Sequence, residues 1–180
     1  LVRSRGLGDV YKRQVETNAG RLAWNGERYN AFTISARDCA IPNLMPVTGG
    51  LLRLDISGDC TIDGGGEPCF NGFDCVLITG DGTLTFTTMG IRCGGDRFDL
   101  PALMVAGDVT VVCPDMELLS NGNAPAYTQL GGTVYTDWMQ VNGEVLVADG
   151  LLLARQLLEA KACTFRAVSY THLTLPTNRE

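Results

Sequence analysis

Aromatic residues that could pack against a sugar ring form two clusters in the chain. A sugar presents C–H groups on its face, which pack on aromatic rings, while neighbouring polar side chains bond its hydroxyls. Asn25 and Arg28 flank the first cluster, and Asp137 lies in the second. The same aromatic residues also suit cap or core packing. The candidate carbohydrate-binding residues are Trp24, Tyr29, Tyr127, Tyr135 and Trp138.

Acidic residues follow or lie near glycines at a recurring position of the chain. They are Asp59, Asp81, Asp108 and Glu144. If they stacked along one edge of a repeating fold, their carboxylates could bind calcium. An aspartate after glycine also suits a turn, because its carboxylate accepts backbone hydrogen bonds. We favour the turn interpretation and predict no cofactor, with calcium as the alternative.

Only one short segment concentrates both signs of charge. It is Asp96-Arg97-Phe98-Asp99, and Arg92 lies close to it in sequence. Glycoside cleavage needs two carboxylates held across the scissile bond, which this segment does not establish, so a polar corner loop is the preferred interpretation. The chain has no glycine-rich phosphate loop, no serine nucleophile elbow and no cluster of metal ligands. We therefore predict no catalytic residue.

The 7 cysteines do not follow a metal-binding pattern. No two of them are spaced as C-x-x-C, and the single histidine, His172, lies far from most of them. A zinc site is therefore not expected, and a catalytic thiol would lack a histidine to activate it. Buried core cysteines are favoured, with one or two disulfides as the alternative.

An internal repeat is the most informative feature of the sequence. Its pattern is an apolar residue, any residue, glycine, an acid, any residue, threonine or leucine, and a second apolar residue. Weaker copies occur at 129–135 and 141–147, and successive copies start 22, 27, 24 and 12 residues apart. The three clear copies are Ile56–Ile62, Ile78–Leu84 and Val105–Val111.

Each copy predicts two short strands separated by a turn or bulge at glycine. Within Thr83–Thr87, Leu84 and Phe86 alternate with threonines, as strands with one buried face require. A strand-corner-strand unit recurring every 22 to 27 residues predicts an all-β fold, a right-handed parallel β-helix with one coil per repeat. An antiparallel β-sandwich is the alternative.

Two regions of the chain depart from the repeat. Residues 15–50 lack it and contain Asn25-Gly26, a hairpin turn signal, so we expect an N-terminal cap or an irregular first coil. Residues 51–150 are assigned to the β-solenoid. Residues 151–167 are expected to form a last strand or a short helix, because leucines and alanines recur there at helical spacing.

The two ends resemble translated sequencing-adapter DNA. Ser4–Gln14 matches one reading frame of a transposon-based library adapter, and Val168–Thr177 matches the reverse complement of the opposite adapter. We therefore expect residues 1–14 and 168–180 to be adapter-derived, and the chain to be a fragment of a longer protein.

Charge narrows the range of partners. The chain carries a net charge of −6, and the part between the adapter-like ends is more acidic still. Binding to nucleic acid and to anionic membranes both require clustered lysine and arginine. No apolar run approaches the roughly 20 residues of a membrane-spanning helix. We therefore expect that the chain does not bind nucleic acid and does not insert into a membrane.

Three stretches resemble bacterial carbohydrate-binding domain-containing proteins with β-helical repeats. They are Gly58–Ile62, Val76–Phe86 and Gly90–Cys93. The resemblance implies a secreted or cell-surface protein whose solenoid presents a surface to glycans or polysaccharide. The functional hypothesis is a noncatalytic carbohydrate-binding or adhesive module. A β-helical polysaccharide lyase or glycoside hydrolase and a structural spacer are the alternatives.

Overall fold

The computed structural model describes residues 14–44, 49–95, 97, 99–120 and 122–165. All regular secondary structure in these ranges is β. The adapter-like ends lie outside the described residues, except for Gln14, where the first strand begins. The strands are β1 Gln14–Trp24, β2 Glu27–Arg37, β3 Ala40–Ile41, β4 Leu51–Ser57, β5 Asp59–Ile62, β6 Cys75–Gly80, β7 Thr83–Phe86, β8 Ile91–Cys93, β9 Leu103–Val105, β10 Thr110–Leu119 and β11 Tyr127–Phe165.

The chain winds into a β-solenoid of about 4 turns. A first face consists of β2, β4, β6, β9 and the start of β11. A second face consists of β3, β5, β7, the start of β10 and residues 133–136 of β11. A third face includes β8, the end of β10 and residues 139–142 of β11. Every pairing between these strands is parallel, which confirms the solenoid and rules out the antiparallel sandwich.

The register of the coils agrees with the second and third copies of the sequence repeat. Ile78 pairs with Val105 27 residues later, as the copies predict. The first copy is displaced by two residues, because Leu54 and not Ile56 pairs with Ile78. The alternation of buried and outward side chains runs two residues further in β4 than in β6. Gly80 therefore lies opposite Ile56.

The core fills the inside of the coils with stacked aliphatic side chains. Along β4, Leu52, Leu54 and Ile56 are buried, while Arg53 and Asp55 between them point outward. Each fully buried aliphatic side chain contributes roughly 1.5–3 kcal/mol relative to exposure. Because the alternation continues in register from coil to coil, the outward positions also form rows across the first face.

β1 pairs antiparallel with β2, the first strand of the first face, and the two form a hairpin. Asn25 and Gly26 form its turn with φ of 49° and 82°, which confirms the Asn-Gly turn signal. Leu22 of this hairpin is fully buried and packs in a second apolar cluster with Leu77 and Met104 from the outside of the first face. The hairpin therefore covers part of the outer surface of the solenoid.

Residues 151–165 continue β11 as a strand, so the strand alternative holds and the helix does not. Gln129 Nε2 donates to the carbonyl oxygen of Leu151 at 3.1 Å, and Thr164 Oγ1 donates to Glu144 Oε1 at 2.9 Å. The segment thus lies against the preceding coil. Helix propensity is a weak preference, and the backbone partners offered by that coil override it.

A membrane-crossing helix is not found in the described ranges.

Candidate functional site

The candidate site is a polar groove of about 450 Å³ on the outside of the first face, where β1, β2, β4 and β6 approach a corner of the coil. Its size falls within the range of small-molecule sites, roughly 300–1,000 Å³. The residues that line it, here called the groove residues, are Glu16, Ser35, Ala36, Arg37, Asp55, Ile56, Ser57, Gly80 and Asp81.

Strand register brings the polar groove residues together. Ser35 of β2 pairs with Asp55 of β4, and Arg37 pairs with Ser57. Glu16 of β1 pairs with Ser35 on its other side. Residues two apart on a strand point to the same side of the sheet, so these five side chains share the outer surface.

Two arginines fix part of the groove's polar surface. Arg53 binds Asp55 with two hydrogen bonds to one carboxylate oxygen, 3.0 Å from Nε and 2.8 Å from Nη2. Arg37 Nε donates to Ser57 Oγ at 3.1 Å. These contacts hold Asp55 and Ser57 in defined orientations, so the groove presents preorganised donors and acceptors.

Two carboxylates of the groove have no partner among the described residues. The side chains of Glu16 and Asp81 make no hydrogen bond or ion pair with that part of the chain. Both side chains are exposed, so water satisfies their oxygens. They come from different parts of the lining, Glu16 from the hairpin and Asp81 from the corner after β6. The groove therefore offers acceptors that a ligand hydroxyl or amine can reach.

Glycine at position 80 is required by the backbone of the groove. Gly80 has a φ of 120°, a conformation that L side chains rarely adopt. A Cβ there would collide with the carbonyl oxygen of Ile56 on the neighbouring strand. The amides of Asp81 and Gly82 both donate to that same oxygen, at 3.0 and 3.2 Å. Close approach of the two coils at this corner thus depends on the absence of a side chain.

The first predicted aromatic cluster belongs to the hairpin cover. Trp24 and Tyr29 are half-buried and pack against the second apolar cluster. Arg97, in the connection between β8 and β9, lies 5.3 Å from the centre of the Tyr29 ring. The Tyr29 hydroxyl donates to Glu27 Oε2 at 3.0 Å. This arrangement uses Tyr29 in packing against the hairpin cover.

The second predicted cluster is divided by the fold. The prediction that Tyr127 contacts a sugar is wrong, because Tyr127 is 0% exposed. It is a core residue whose hydroxyl donates to Gln129 Oε1 at 3.0 Å. Tyr135 is 42% exposed and lies on the second face beside Val112. Trp138 is half-buried beside Asp115, where β11 turns toward the third face. Of the five predicted aromatic residues, only Tyr135 is exposed.

The acidic residues of the repeat do not form the single row that the calcium alternative would require. Asp81 and Asp108 are level in adjacent coils, because Thr83 pairs with Thr110. Asp59 instead lies level with Thr83, as a result of the two-residue displacement of the first repeat copy. Glu144 lies beyond the part of β11 that pairs with β10. Within the described residues, no group of three or more potential metal ligands occurs.

The predicted polar corner loop contains an ion pair. Arg97 Nη2 lies 3.0 Å from Asp99 Oδ2, and its Nε donates to Oδ1, also at 3.0 Å. Hydrogen bonding to Arg97 lowers the pKa of Asp99 to about 2. Asp96 and Phe98 lie outside the described residues. The described pair holds the loop against the hairpin.

Most of the cysteines are core residues. Burial raises the pKa of Cys69 to about 11 and that of Cys75 to about 12, so both thiols stay protonated at neutral pH. Cys93 is fully buried, and its pKa is also raised by burial. A protonated thiol is a poor nucleophile. These residues therefore contribute packing to the coils.

Comparison with known proteins adds no family to these observations. No family model matches the chain, and a search of curated proteins and of solved structures likewise gives no match.

Proposed function

We propose that this chain is a noncatalytic carbohydrate-binding module, and that the groove residues form its binding site. The observation that carries the proposal is a groove of about 450 Å³ in which two carboxylates lie beside an arginine and two serines and have no partner among the residues that the structure describes. Carboxylates accept hydrogen bonds from sugar hydroxyls, and guanidinium groups donate to them.

The charges of the groove narrow the class of glycan. The ion pair with Arg53 neutralises the charge of Asp55. The charges that remain are the negative carboxylates of Glu16 and Asp81 and the positive guanidinium of Arg37. The uncompensated charge is negative, so an anionic sugar would be repelled, since like charges disfavour binding. Neutral or amino sugars fit this surface, because hydroxyls and ammonium groups both donate to carboxylates. The proposal includes a secreted or surface-attached parent protein, as the sequence resemblance implies.

Cleavage of the bound glycan is the second candidate. The groove contains both the carboxylates and the arginine that hydrolase or lyase chemistry on a β-helix would need. In that case the carboxylates of Glu16 and Asp81 would take part in cleavage of the sugar as well as in its binding. Product analysis separates the two candidates, because a binding module returns the glycan unchanged.

The test is a panel of neutral, amino and acidic oligosaccharides measured against the full chain. We expect selective binding of a neutral or amino sugar, and at least a tenfold loss of affinity in Asp81→Asn and Glu16→Gln. Asp108→Asn is the matched control, because Asp108 is also exposed and level with Asp81 but is not among the groove residues. Equal losses in Asp81→Asn and Asp108→Asn, or no binding to any glycan, would contradict the proposal. A folded chain that binds nothing would support a structural spacer instead.

A further inference from the structure

Two cysteines occupy adjacent positions in neighbouring coils. β3 and β5 pair in parallel with Ala40 opposite Thr61, so Cys39 and Cys60 are opposite each other one residue earlier. The amide of Thr61 donates to the carbonyl oxygen of Cys39 at 3.0 Å, which holds the two backbones at sheet spacing. Neighbouring strands lie about 4.7–4.9 Å apart, within the Cα separation that a disulfide spans.

The two side chains also lie on the same side of the sheet. Cys60 belongs to the hydrophobic core, and Cys39 packs against that core. Cys60 is buried, whereas Cys39 is partly exposed at the corner of the coil. A small oxidant in solution can therefore reach Cys39, and Cys60 is in place to react with it next.

We propose that Cys39 and Cys60 form a disulfide that joins the first coil to the second when the protein meets a disulfide oxidant such as oxidised glutathione. The proposal does not depend on glycan binding. It assigns a covalent cross-link to a pair of residues at the start of the solenoid, where the hairpin cover gives way to regular coils.

The chemistry takes place by two thiol–disulfide exchanges. The Cys39 thiol loses its proton and attacks one sulfur of oxidised glutathione, which releases one glutathione thiolate and leaves a mixed disulfide. Cys60, after losing its proton, attacks the Cys39 sulfur and releases the second glutathione. The two cysteines are oxidised together, and the glutathione disulfide is reduced to two thiols.

Other buried cysteines have no cysteine opposite them in strand register. Cys113 pairs with Thr136. Cys93 pairs with Leu118, so no cysteine lies opposite it on β10. Cys39 and Cys60 therefore differ from these cysteines, because they lie opposite each other on neighbouring strands.

The experiment uses the full chain carrying Cys163→Ser, because Cys163 is exposed and would cross-link separate molecules. The protein is incubated with oxidised glutathione, alkylated and mapped by mass spectrometry. We expect a linkage between the peptides of Cys39 and Cys60, and a melting temperature about 5–10 °C above that of the reduced protein. Cys39 recovered alkylated, or linked to any other cysteine, would overturn the proposal.

Two variants in the same background separate the pair from general oxidation. Cys60→Ser should accumulate the glutathione adduct on Cys39, because the second thiol is missing. Cys69→Ser removes a different buried thiol and should leave the linkage intact. A Cys60→Ser protein that carries no adduct on Cys39 would contradict the mechanism.

Discussion

The guanidinium of Arg97 lies over the ring of Tyr29, 5.3 Å from its centre. This contact joins two parts of the chain that are distant in sequence, the tip of the first hairpin and the connection between β8 and β9. Beneath it, Leu77, Leu100 and Met104 are buried on the outside of the first face. The contact therefore closes an apolar cover over the solenoid.

Removing the arginine should loosen this cover. We expect Arg97→Ala to lower the free energy of unfolding by about 1 kcal/mol, because a cation–π contact at a partly exposed site contributes about that much. Arg28→Ala is the control, since Arg28 is exposed on the same hairpin tip. Urea unfolding of both variants measures the difference, and equal effects would contradict a specific role for Arg97.

Stability should depend on pH through Asp99. Its pKa is lowered from 3.8 to about 2 by Arg97, so the ionised form is favoured in the folded protein. The stabilising contribution is therefore complete above about pH 4 and is lost as the pH falls toward 2. Urea unfolding between pH 5 and 2 should show a shallower loss of stability in Asp99→Asn than in the wild type. Parallel curves for the two proteins would refute this assignment.

The buried amide of Gln129 should be important for the last coils. Its Nε2 donates to the carbonyl oxygens of Gly132 and Leu151 at 3.0 and 3.1 Å, and its Oε1 accepts from Tyr127. Gln129→Leu removes the partner of the buried Tyr127 hydroxyl and the donor to two part-buried carbonyl oxygens, at a cost of about 2 kcal/mol. Denaturant titration measures the loss. Tyr135→Phe, on the exposed second face, is the control and should change stability little.

Glycine at position 80 should be more sensitive than other glycines with positive φ. Gly80→Ala places a Cβ against the carbonyl oxygen of Ile56, whereas Gly65, with a φ of 61°, has open space around it. We expect about 1 kcal/mol of destabilisation in Gly65→Ala from backbone strain, and clearly more in Gly80→Ala. Thermal unfolding compares the two, and similar losses would show that the corner tolerates a side chain.

Much of the fold could be predicted from the alternation and repetition in the sequence. The pairs Leu84–Val111 and Ile78–Val105 are in register as the repeat implies. The repeat pattern misaligns the first copy because it aligns the glycines, whereas the inward aliphatic side chains determine register. β4 places Ile56 opposite a glycine, and nothing in the glycine-acid pattern reveals this.

The candidate site was largely missed at the level of sequence. The repeat pattern singles out Asp81, but it gives no reason to group Asp81 with Glu16, Ser35, Arg37 and Ser57. These residues are far apart in the chain and meet only through strand register. A signal was present, since Arg53, Asp55 and Ser57 occupy alternate positions of one strand. The aromatic candidates follow from side-chain chemistry alone. That chemistry does not reveal that Tyr127 is buried in the core.

The most direct test of the carbohydrate-binding proposal locates the ligand on the surface. Backbone amide chemical shifts would be recorded by NMR while the best-binding sugar of the panel is added to the isotope-labelled chain. We predict that the largest shifts occur at Ser35, Ser57 and Asp81, which line the groove. Shifts concentrated around Tyr135 on the second face, with the groove amides unchanged, would contradict the account.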